Sequence, residues 1–90
     1  MESIRNFKLE RTFSQLGKLQ QKMQLRYEMV AKPNEIEFCI RKIQQEQECQ
    51  YKIISGITPL QGEQIVKFLY ENAVPFESWQ DVLQELVAIV

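Results

Sequence analysis

Ninety residues, 44% of them apolar and 26% charged, describe one ordinary soluble domain with one core. A net charge of −1 exerts no global pull toward nucleic acid or an anionic membrane. With no histidine, the usual general base and the commonest metal ligand are missing, and two cysteines cannot build a zinc site alone.

Charge is unevenly spread. Over residues 1–30, Arg5, Lys8, Arg11, Lys18, Lys22 and Arg26 outnumber Glu2, Glu10 and Glu28, a local charge of +3. Over residues 57–90, Lys67 stands against Glu63, Glu71, Glu77, Asp81 and Glu85, a local charge of −4. The two ends are expected to attract each other within the fold. The two cysteines fit a reducing compartment. The start, M-E-S-I-R-N-F-K, lacks the apolar stretch of a signal peptide, and the apolar runs fall far short of the ~20 residues that span a bilayer. The expected location is the cytoplasm.

In chain order, Met1 to Asn6 is expected to fray. Phe7 to Phe13 alternates, with Phe7, Leu9 and Phe13 on one face. A helix over residues 5–16 competes, because Leu9, Phe13 and Leu16 also fall at helical spacing. Gly17 favours a hairpin, since a three-residue loop Gln15-Leu16-Gly17 would use its left-handed conformation. That loop pairs Phe13 with Leu19, Leu9 with Met23 and Phe7 with Leu25.

The next two runs alternate strictly. Leu19, Met23, Leu25, Tyr27 and Met29 are apolar against polar Gln20, Lys22, Gln24, Arg26 and Glu28. Ile36, Phe38 and Ile40 are apolar against Glu35, Glu37 and Arg41. Period-two alternation marks strands with one dry and one wet face. Ala31-Lys32-Pro33-Asn34 closes this hairpin, with Met29 expected opposite Ile36, Tyr27 opposite Phe38 and Leu25 opposite Ile40. After the polar break Gln44 to Gln47, a fourth strand runs from Glu48 to Ser55. Its expected register sets Ile40 against Tyr51 and Phe38 against Ile53. Cys49, Tyr51 and Ile53 would then line the core, and Cys39 and Ile54 would project on the wet face.

Gly56 ends the sheet. Thr58-Pro59 starts a helix, with Thr58 as N-cap, Pro59 in the first turn and Gln61 completing a capping box. Leu60, Ile65, Phe68, Leu69 and Ala73 are its expected apolar face, and Gly62 would allow a close approach to the sheet. Ser78-Trp79-Gln80-Asp81 reads as a second capping box. The face Trp79, Val82, Leu83, Leu86, Val87 and Val90 then marks a second helix. The fold class is α+β: a four-stranded antiparallel meander, order 1-2-3-4, over about residues 7–55, with a helical pair over 58–90 packed on one face (ββββαα).

No catalytic constellation, phosphate loop, metal site or cofactor site is legible. Glu28, Glu35 and Glu37 are carboxylates of a solvated face. The expected function is a small, non-catalytic protein-interaction or regulatory module, with self-association through strand 48–55 as one option. Its candidate contact residues are Arg26, Cys39, Lys52, Ile54 and Trp79. Arg26 and Lys52 are expected to flank Cys39 and lower its pKa. The unpaired edge of the fourth strand is a template for another strand, unless Gly56 to Thr58 folds back over it.

The alternative partner is single-stranded nucleic acid, bound on the wet face by Lys8, Lys18, Lys22, Arg26, Arg41 and Lys52. Four antiparallel strands followed by helix resemble, in topology alone, the Whirly single-stranded nucleic-acid binders. No motif is shared, and no aromatic residue stands among these cations to stack a base.

Overall fold

The computed structural model describes residues 5–13 and 22–89. Strands β1 (Arg5–Phe13), β2 (Met23–Ala31), β3 (Glu35–Ile43) and β4 (Gln47–Ser55) precede helices α1 (Pro59–Glu71) and α2 (Trp79–Ile89). The strands form one antiparallel sheet in the order β1-β2-β3-β4. Residues 5–13 are strand, so the helical alternative fails.

The alternating apolar residues of β2 and β3 build the core. Leu25, Tyr27, Met29, Ile36, Phe38 and Ile40 are buried against Ile65, Val66 and Leu69 of α1 and Trp79 and Leu83 of α2. Helix α1 lies across β1 and β2 and packs on α2. Its buried face is Gly62, Ile65, Val66 and Leu69, whereas Leu60 and Phe68, expected inside, are exposed. A Cβ on Gly62 would sit 2.9 Å from Met29 Sδ and 3.0 Å from Ile36 Cδ1, so glycine permits this helix–sheet approach.

Both ends of α1 are closed by local hydrogen bonds. Thr58 accepts from the Gln61 N–H, and the Gln61 side chain accepts from the Thr58 N–H, the expected capping box. At the other end Ala73, expected within the helix, follows it in the left-handed region at φ +47°. The Ala73 N–H donates to the Tyr70 carbonyl and the Val74 N–H to the Leu69 carbonyl, a Schellman closure. Helix α2 begins with the Val82 N–H donating to the Ser78 carbonyl.

All three expected registers differ from those observed. In β1–β2, Phe7 faces Met29, Leu9 faces Tyr27 and Phe13 faces Met23, a slip of four residues. The expected loop Gln15–Gly17 and partner Leu19 lie outside the described residues. In β2–β3, Met29 faces Phe38, Tyr27 faces Ile40 and Ala31 faces Ile36, a slip of two. The Lys32 N–H donates to the Glu35 carbonyl at 2.8 Å and tightens the turn onto Pro33-Asn34. Slips by even numbers keep every side chain on its face, so the core survives both.

The third slip has a different result. Phe38 faces Lys52, Cys39 faces Tyr51 and Ile40 faces Gln50, one residue from the expected register. An odd slip turns every β4 side chain to the opposite face. Cys49, Tyr51 and Ile53 therefore leave the core and join Cys39 on the open face, while Ile54 turns inward and packs against the core. Two causes are visible. Gln44 N–H to Glu46 O closes a tight turn at Gln44-Gln45-Glu46. The buried Trp79 indole also needs an acceptor, and it donates to Gln50 Oε1 at 2.8 Å.

Candidate interaction edge

In an antiparallel strand the backbone groups of successive residues point alternately to the two neighbours. The Lys32-to-Glu35 bond marks Lys32–Glu35 as a hydrogen-bonded pair, so odd residues of β3 point toward β2 and even ones toward β4. The Gln44-to-Glu46 bond shows the same parity across β3–β4. Glu48, Gln50, Lys52 and Ile54 thus spend their N–H and C=O groups on β3. Gln47, Cys49, Tyr51, Ile53 and Ser55 aim theirs outward from the sheet. The segment Gly56–Thr58 makes no backbone hydrogen bond to β4 among the described residues, so it does not pair with this edge.

The outward-aiming residues also carry the apolar side chains of the open face beside that edge. Tyr51 is 54% exposed and Ile53 is 50% exposed. Behind them Cys39 is buried, directly between Glu28 on β2 and Tyr51 on β4. The edge therefore presents a strip of free amides and carbonyls bordered by an aromatic ring and a branched aliphatic chain.

Burial pushes the Cys39 thiol up to about 11, and the Glu28 carboxylate beside it adds to the effect. The expectation of a lowered pKa is thus reversed. Lys52 projects on the other face, and Arg26 is turned to Glu10 at 2.8 Å and Glu28 at 3.8 Å. Cys49 is the exposed thiol, and its Sγ accepts from Arg41 Nη1 at 3.4 Å and Gln47 Nε2 at 3.6 Å. Both cysteines are free.

The other expected contact residues scatter. Trp79 is 1% exposed and belongs to the core rather than to a surface. Ile54 packs inward, and Lys52 is exposed at the rim of the helix side. Tyr51 and Ile53 were expected in this edge strand but on its core face, not on the open face. The signal available for them was the terminal place of β4 in a meander, where no second neighbour holds the strand.

The cations proposed for nucleic acid do not assemble into a basic face. Arg26 and Arg41 are engaged by carboxylates, Arg41 with Glu28 at 3.1 Å. Lys8 and Lys22 are exposed, Lys52 lies on the opposite side, and Lys18 is outside the described residues. Arg11, from the basic N-terminal third, reaches α1 through the Tyr70 carbonyl at 3.0 Å and stacks its guanidinium 4.7 Å from the Tyr70 ring centre. This cation–π contact ties the N-terminal strand to α1 through uncharged groups, not through the acidic side chains of residues 57–90.

Among the described residues no group of three or more His, Cys, Asp or Glu is placed to hold a metal ion. No described helix is long and apolar enough to cross a membrane. The chain matches no known protein-family model, no curated protein and no solved structure.

Proposed function

We propose that the chain is a small non-catalytic protein-interaction module that offers the β4 edge to a strand from a protein partner. One observation carries this reading: the residues whose backbone groups aim outward, Cys49, Tyr51 and Ile53, also place their side chains on the open face at that edge. Strand addition uses both features, main-chain hydrogen bonds for affinity and alternate side chains for selectivity. A reducing compartment, with the cytoplasm as the default, suits two free thiols.

The parity of β4 supplies a clean test. Proline at position 51 removes an N–H that serves no bond to β3, and edge strands tolerate proline there. Native-lysate capture should compare the wild type with Tyr51→Pro, both checked for folding by circular dichroism. Loss of a captured protein from the proline variant alone is the expected result. Equal capture by both baits would place the interface elsewhere. Salt-sensitive retention of a random single-stranded oligonucleotide, with no protein captured, would favour the nucleic-acid reading.

A further inference from the structure

We propose that the strand added at β4 is the β4 of a second copy, paired antiparallel about a two-fold axis at Gln50 to make one eight-stranded sheet. The proposal rests on the reading of β4 as a docking edge and names the occupant. Three features of the edge point to self-pairing.

The first is parity. Pairing must join odd residues to odd residues, because those carry the outward N–H and C=O groups. Every register of that kind about a two-fold axis also keeps the open faces of the two copies on the same side.

The second is charge. Glu48 and Lys52 flank Gln50 symmetrically, both are exposed, and neither forms an ion pair among the described residues. With Gln50 on the axis, Glu48 faces Lys52 of the second copy, twice over. These are non-hydrogen-bonded positions of the new pair, where opposed side chains come closest. Other registers lose this match. With Tyr51 on the axis, Glu48 faces Ile54 and Lys52 faces Gln50. With Lys52 on the axis, two lysines abut. With Cys49 on the axis, the paired stretch within the strand shrinks from Gln47–Ile53 to Gln47–Tyr51.

The third is the apolar border. In the Gln50 register Tyr51 faces the second copy's Cys49, and Ile53 faces the second copy's Gln47. The two half-exposed side chains of each copy thus gain cover on the open face.

The test is a charge swap, read by sedimentation velocity and light scattering over a wide concentration range on the full chain. The wild type should show a concentration-dependent monomer–dimer equilibrium. Glu48→Lys and Lys52→Glu should each weaken the dimer at least ~10-fold, because each turns two opposed pairs into two like-charge pairs. The double variant should recover most of that loss, which a merely structural role for either residue would not produce. Both positions are exposed, so folding of each variant is expected and is checked by its thermal transition.

A wild type that stays monomeric throughout overturns the proposal. So do single variants that dimerise like the wild type, or a double variant no better than the singles. Failure of the docking-edge reading looks different, since Tyr51→Pro would then leave both lysate capture and dimerisation unchanged. A foreign partner lost from Tyr51→Pro while the wild type remains monomeric would keep the edge and discard the second copy.

Discussion

The Tyr27 hydroxyl, at the centre of β2, donates a 2.8 Å hydrogen bond to the Val74 carbonyl in the turn between the helices. Tyr27 has no exposed surface and Val74 is nearly buried, so this bond ties the sheet to the helical layer inside the core. Tyr27→Phe keeps the ring and leaves a buried carbonyl without its donor. An unsatisfied buried group costs about 1–3 kcal/mol. Urea denaturation should show that loss with an unchanged m-value, and a neutral result would mean the hydroxyl is not bonded there.

Stability should fall at alkaline pH. Burial raises the Tyr27 phenol from 10.0 to about 12 and the Cys39 thiol from 9.0 to about 11. Between each pair of values the unfolded chain has released a proton that the folded chain retains, so rising pH favours unfolding. The contribution is intact below pH 9.0 and is lost as pH rises through about 11 and then about 12. Thermal midpoints measured from pH 8 upward should decline over that window, and Tyr27→Phe should flatten its upper part. A flat profile in the wild type would count against the burial of both groups.

The β3–β4 register separates two adjacent isoleucines. Ile54 packs against the core and Ile53 is half exposed on the open face. Ile54→Lys should cost about 1–3 kcal/mol, the range for losing a largely buried aliphatic side chain. Ile53→Lys should stay within about 0.5 kcal/mol, as for a surface change. The opposite order would restore the register in which Ile54 faces solvent.

Thiol labelling reads the same register independently. Cys49 is exposed, whereas Cys39 is 7% exposed with a raised pKa. The thiolate is the reactive form, so burial and a raised pKa both disfavour reaction at Cys39. Native-state alkylation near pH 8, mapped by mass spectrometry, should modify Cys49 first and Cys39 only in denaturant. Prior labelling of Cys39 would contradict this arrangement.

Ala73 offers a stabilising change. Its φ of +47° strains an L-residue by about 1–2 kcal/mol, which glycine avoids. Glycine also frees the unfolded chain, at a cost of about 0.4–1 kcal/mol. Ala73→Gly should therefore raise stability by about 0.5–1 kcal/mol, seen as a higher denaturant midpoint. A drop would mean that the Ala73 methyl makes contacts worth more than the strain.

The sequence by itself determined the element order and much of the core. Strict alternation in Leu25–Met29 and Ile36–Ile40 marked the residues that are buried, and Thr58-Pro59 with Gln61 marked the start of α1. What it left open was register. A period of two is unchanged by slips of two or four residues, so β1–β2 and β2–β3 could shift without moving any residue between faces. In β4 both parities carry apolar residues, Tyr51 and Ile53 on one and Ile54 on the other. Only the tertiary structure chose between them. β4 has β3 on one side alone, and the buried indole of Trp79 takes its acceptor from Gln50. An edge strand is not sandwiched between neighbours that enforce its pattern, so one half-buried hydrogen bond and a tight turn outweighed the stronger hydrophobic alternation. They left Tyr51 and Ile53 on the open face, beside the backbone groups that no neighbour uses.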